Sequence, residues 1–248
     1  MEFLNPSTFL VFSLILVGIS FLYASVGHGG ASGYLALMAL FSFPVAVIKP
    51  TALLLNIFVS GVAFWYFKKN QHFNWKLFYP FALSSIPAAF LGGYISINTT
   101  LYKQILGIFL AIAVLRILGV FGKEKSEKRQ VNLPLALLIG FGIGLFSGMI
   151  GIGGGIILSP IILLLAWGNT KESAAVSALF IFVNSISGMI GFLLNRETFP
   201  SEAFYLVPFA LIGGTVGAIY GSQKFSNLKL TYVLSVVLIL ASFKLFLF

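Results

Sequence analysis

The chain has 248 residues, of which 59% are hydrophobic and only 8% charged, with a formal net charge of +9. A water-soluble domain of this length needs far more charge to cover its surface, so the composition excludes one and describes a polytopic membrane protein. Nor does the positive charge signal a nucleic-acid partner, because Lys and Arg occur singly or in short clusters beside apolar runs, where they set membrane orientation.

Residues 8–26 form the first apolar run. Only Glu2 precedes it, without a basic region or a small-residue cleavage site, so a retained helix is expected rather than a removed signal peptide. Further apolar runs follow at 31–43, 47–67, 77–97 and 101–120, and then at 133–150, 154–167, 173–194, 203–221 and 229–248. At about 20 residues per crossing, this predicts an all-α integral membrane protein of about ten helices. The second and seventh runs are short, and each is expected to be half-length or re-entrant. GKEKSEKRQ, residues 122–130, is the one strongly polar stretch and the natural hinge between halves.

Those halves repeat. Phe78-Tyr79-Pro80-Phe81-Ala82-Leu83 aligns with Leu206-Val207-Pro208-Phe209-Ala210-Leu211 at an offset of 128, which also pairs Asn56 with Asn184, Gly93 with Gly221 and Arg116 with Lys244. At an offset of 124, Gly27, Gly29 and Gly30 pair with Gly151, Gly153 and Gly154. The expected organisation is a first helical repeat over 1–121, a basic cytoplasmic linker over 122–132 and a second repeat over 133–248. With ten crossings, 11 of the 15 basic residues fall on the linker side and 4 on the other, which puts both termini outside. If the short runs re-enter instead, the division becomes 10 to 5. Five crossings per half invert the second repeat, four leave it parallel, and the cleaner division favours inversion.

The acid inventory narrows the chemistry. Aspartate is absent, and the six glutamates (2, 124, 127, 172, 197 and 202) lie in loops or at segment ends. That disfavours an intramembrane aspartyl protease and the buried carboxylates of many cation-coupled carriers. Cysteine is also absent and there are two histidines, so no metal site or cofactor is expected.

An anion pathway fits better. Where a helix is broken inside the membrane, the first amides of the following half have no intrahelical partner, and the helix dipole is positive there. Glycine admits the backbone geometry of an anion-binding nest. Gly27-His28-Gly29-Gly30 and Gly151-Ile152-Gly153-Gly154-Gly155 each precede a new apolar run, as this mechanism requires. Close helix packing is the competing use of such glycines. Ser32, Asn56 and Asn184 are secondary candidates, with Thr51 and Ser177 one to two turns before the asparagines. His28 is the ionisable side chain expected deep in the protein, where it could couple a proton to an anion. Lys49, beside Pro50, lies where it could attract anions to the mouth of the path or simply snorkel.

At the glycine breaks the chain resembles the sulfite exporter TauE/SafE family of membrane transporters. Gly142-Ile143-Gly144-Leu145-Phe146-Ser147-Gly148-Met149-Ile150-Gly151-Ile152-Gly153-Gly154-Gly155, followed by Ser159-Pro160, carries the resemblance. In the first half His28 enters the motif, and Leu35-Ala36 stand in place of Ser159-Pro160. The resemblance implies movement of sulfur-containing anions such as sulfite, sulfonates or sulfoacetate across the plasma membrane. An anion channel and a non-transporting accessory subunit remain alternatives. So, remotely, does a serine protease, since Gly30-Ala31-Ser32-Gly33 reads G-x-S-G.

Overall fold

The computed structural model describes residues 6–117, 128–195 and 198–223. They form α1 (Pro6–Ser25), α2 (Ala31–Leu40), α3 (Val45–Lys69), α4 (Trp75–Tyr94) and α5 (Thr99–Ile117), then α6 (Leu133–Ile150), α7 (Gly155–Leu164) and α8 (Thr170–Leu194). A 3-10 turn, Ser201–Leu206, runs directly into α9 (Val207–Gln223). There is no strand among the described residues. The tenth expected run, 229–248, lies outside them, as do residues 122–127 of the linker.

Five stretches are long and apolar enough to cross a bilayer: Ser7–Ser25, Val45–Lys69, Leu133–Ile150, Thr170–Leu194 and Ser201–Gln223. α4 is 20 residues long but more polar, carrying Pro80 and Pro87 as well as serines, glycines and terminal aromatics. α2 and α7 have 10 residues each, so at about 1.5 Å per residue each reaches only half a hydrocarbon core.

Helix starts separate into two kinds. α4, α6 and α8 begin after Asn74, Asn132 and Asn169, whose side chains accept hydrogen bonds from first-turn amides. At α8, Glu172 returns the bond to the Asn169 amide and completes a reciprocal cap. α2 and α7 begin after Gly30 and Gly154, both left-handed, and neither has a side-chain cap.

Close backbone approach holds the long helices together. A Cβ on Gly140, Gly144 or Gly148 of α6 would collide with the backbone of Phe81, Ser85 or Ala89 on α4. Likewise Gly213, Gly217 and Gly221 of α9 lie on the backbone of Val17, Phe21 and Ser25 on α1. With little hydrophobic drive between helices in lipid, such contact surfaces supply the van der Waals attraction. Partners are exchanged between the halves: α1 packs on α9 and α6 on α4, while α3 packs on α9 and α8 on α4. α3 and α8 pack on each other antiparallel. Phe67, near the end of α3, meets Ala174 and Ala175 at the start of α8, while Lys49, near the start of α3, lies over Phe192 near the end of α8.

The loops gather on two faces. On one, Lys128 pairs with Glu172 at 2.7 Å, Asn74 Nδ2 donates to Glu172 at 3.4 Å, and Asn70 Nδ2 donates to Ser222 Oγ at 3.0 Å. On the other, Asn195 Nδ2 donates to Ser96 Oγ at 2.6 Å.

Candidate functional site

α3 and α8 each have 25 residues, and the two glycine breaks lie across their middles. A Cβ on Gly29 would stand 2.9 Å from Ile181 Cγ2 and 3.0 Å from Asn56 Oδ1. One on Gly153 would stand 2.7 Å from the same Ile181 methyl and 3.1 Å from Asn56 Nδ2. Two turns 124 residues apart in sequence thus meet over one asparagine and one isoleucine. Both are buried throughout, from Gly27 to Gly30 and from Gly151 to Gly155, and they close directly on these side chains.

Each break also reaches into the opposite half. Gly27 lies on the backbone of Ala174 at the start of α8, and Gly151 lies on the backbone of Lys49 at the start of α3. Asn56 Nδ2 donates to the Gly151 carbonyl at 3.3 Å. His28 Nε2 stands 3.1 Å from the Gly155 carbonyl oxygen and 3.0 Å from Ser159 Oγ, and Ser159 Oγ stands 2.8 Å from Ser177 Oγ. A carbonyl can only accept, so Nε2 carries a proton and donates it to Gly155.

Left-handed backbone explains two glycines of the first break and three of the second. Gly27 and Gly30 have φ of 74° and 98°, and Gly151, Gly153 and Gly154 have φ of 81°, 73° and 80°. Gly29 is not among them, and crowding by Ile181 and Asn56 is what excludes a side chain there. The uncapped starts of α2 and α7 leave their first amides to this buried region. Asn56 Oδ1 and Ser147 Oγ, which border the breaks, have no protein partner, and Thr51 Oγ1 and both amide atoms of Asn184 are likewise buried without one. Such atoms are costly when buried, at about 1–3 kcal/mol each, and are retained where something else uses them. Asn184 lies one turn beyond Ile181 on α8.

Of the residues singled out from sequence, Gly29, Gly153, Asn56, His28 and Gly155 are brought together. Ser32 is placed elsewhere. Its hydroxyl pairs with Tyr23 OH at 2.6 Å on the α1 side, while His28 Nε2 bonds to Gly155 and Ser159. Sequence reasoning missed Ser159 and Ile181. Ser159 stood inside the second glycine motif as a bare serine before Pro160, but nothing local shows that it faces a histidine 131 residues away. Ile181 carries no chemical signal, since its role is to occupy the crossing point.

Among the described residues no cluster of His, Cys, Asp or Glu could hold a metal ion. Over residues 11–245 the chain matches the family model described as Sulfite exporter TauE/SafE. It is 35% identical over 231 residues to the probable membrane transporter protein y4hK of Sinorhizobium fredii, covering 92% of this chain and 94% of that one. The probable membrane transporter protein MJ0441 of Methanocaldococcus jannaschii is 27% identical, with 93% and 94% covered. The probable membrane transporter protein YunE of Bacillus subtilis is 26% identical, with 77% of each chain covered. No solved structure matches the chain. The match spans both glycine breaks and the helices that receive them, and the chain belongs to the sulfite exporter TauE/SafE family of membrane transporters.

Proposed function

We propose that the protein is a secondary transporter of small sulfur-containing anions, of the sulfite, sulfonate or sulfoacetate type. The anion binds between the two glycine breaks, held by main-chain amides and by the Asn56 and Asn184 side chains. One observation carries this reading: breaks from two halves of the chain share Asn56 and Ile181 at the midpoints of α3 and α8. Positive helix ends meet there beside the unpartnered Ser147 hydroxyl, which can donate to an anion, and among the described residues no carboxylate is buried. In the described arrangement the crossing point is shut, as expected for the occluded step of an alternating-access cycle.

The exchanged helix partners support a pair of inverted repeats. The Lys128–Glu172 ion pair supports five crossings per half, because re-entrant short helices would put residues 128 and 172 on opposite faces. Taken with the basic residues, this supports a cytoplasmic Lys128 face. The relatives' names support a transporter over an enzyme or an accessory subunit, and the family description supports a sulfur oxyanion. The occluded centre favours a carrier over an open channel. His28 couples a proton to the anion by charging within this network.

The test is reconstitution into liposomes, with efflux of sulfite, thiosulfate, sulfoacetate and chloride measured at two pH values flanking neutrality. Faster flux of the sulfur anions than of chloride is expected, with a pH dependence that His28→Gln removes. Gly153→Val forces a β-branched residue into φ 73° and onto Ile181, and should abolish flux. Chloride flux equal to that of every sulfur anion, unchanged by Gly153→Val, would overturn the carrier reading.

A further inference from the structure

A second candidate site lies outside the crossing point. Lys49, one turn into α3, borders a cavity of about 80 Å³ whose walls include Val45, Ala46, Gly93, Ser96, Met149 and Phe192. That is well above the ~15 Å³ a single water needs. Among the described residues no carboxylate lines it. The start of α3, after Pro44, has no side-chain cap, and its first residues, Val45 and Ala46, line the cavity. Lys49 Nζ donates to the Gly93 carbonyl at 3.0 Å and lies 5.6 Å from the centre of the Phe192 ring. The Lys49 carbonyl oxygen would be 3.0 Å from a Cβ on Gly151, and Met149, two residues before that glycine, lines the cavity.

The opposite face repeats this arrangement. Lys171, near the start of α8, donates to the Gly221 carbonyl and lies 5.8 Å from the centre of the Phe67 ring. Gly93 and Gly221 are equivalent at the repeat offset of 128, whereas Lys49 and Lys171 are not. Two lysines from non-equivalent sequence positions therefore reach equivalent carbonyls, each over an aromatic ring from the opposite half.

We propose that the Lys49 cavity is an outer binding site for a small oxyanion, with Lys171 its counterpart on the other face, which rests on the anion-transport reading above. The Lys49 ammonium exchanges the Gly93 carbonyl for an anionic oxygen, because an ion pair adds a Coulomb attraction that a neutral carbonyl does not supply. The anion then lies beside Met149, two residues before the second glycine break. The competing role is a structural latch between α3 and α4, and the two differ in what they protect and what they slow.

The chain has no cysteine, so one introduced thiol reports cleanly. Ser96→Cys places it on the cavity wall, where position 96 is exposed. Its reaction with an anionic methanethiosulfonate reagent is measured in detergent with and without sulfoacetate, which does not itself attack the reagent. Protection is expected in Ser96→Cys, its loss in Ser96→Cys/Lys49→Gln, and its retention in Ser96→Cys/Lys49→Arg. In liposomes, Lys49→Gln should raise the KM for sulfoacetate about tenfold and leave kcat within about twofold. Undiminished protection in the Lys49→Gln background, or a lowered melting temperature with KM unchanged, would overturn the site in favour of the latch. Because protection is read without transport, a protein that binds there but moves no anion would refute the carrier reading and leave this site standing.

Discussion

At the scale of single residues, Asn56 and Asn184 separate structure from function although they are repeat equivalents. Asn56 donates to the Gly151 carbonyl, whereas neither amide atom of Asn184 has a protein partner. Replacing Asn184 with Leu removes a buried, unpaired amide, so thermal stability should hold or rise by about 1–3 kcal/mol. If Asn184 donates to the anion, flux should meanwhile fall about tenfold or more, the value of one hydrogen bond to a charged group. Thermal unfolding and liposome flux on the same preparation decide it, and a parallel loss of both would make Asn184 a packing residue. Ser32 illustrates the reverse. A hydroxyl placed among the glycines pairs with Tyr23 instead, because α2 folds back along α1 and faces it.

At the scale of elements, glycine has two separate uses that sequence alone does not tell apart. Gly217 lies on the backbone of Phe21, so Gly217→Leu should drive α9 off α1 and prevent folding. Gly142, with open space where its Cβ would go, should accept Ala with a gain of about 0.5–1 kcal/mol. Thermal melts in detergent check both, and tolerance of Gly217→Leu would refute the close approach. The helix starts follow the same division. Asparagine caps α4, α6 and α8, and left-handed glycine opens α2 and α7, which begin inside. An asparagine cap at Gly30 or Gly154 would satisfy the amides that the proposed anion needs.

At the scale of the molecule, the faces decide topology. Single cysteines at Gln71 and Gln130 should react with a membrane-impermeant maleimide only from the cytoplasmic side, and one at Asn195 only from outside. Reaction of positions 71 and 195 from the same side would refute inversion. Helix positions were largely legible in the sequence: the run read as 133–150 is α6, and most other runs end within a few residues of their helices. Membrane helices satisfy their own backbone and announce themselves by apolar length, so local reading suffices. α4 was legible as a segment, but its prolines and aromatics keep it outside the five most apolar stretches.

The site was legible only in part. Composition determined that this is a membrane protein without aspartate and with two matching glycine-rich stretches, because apolar run length, the carboxylate inventory and a constant offset are properties of the chain itself. Tertiary structure alone decided that both breaks rest on Asn56 and Ile181, that His28 reaches Ser159 across the halves, and that Lys49 and Lys171 find matching carbonyls. Those pairings join residues more than 25 positions apart whose side chains carry no mutual signal, and only the crossing of α3 with α8 brings them within bonding distance.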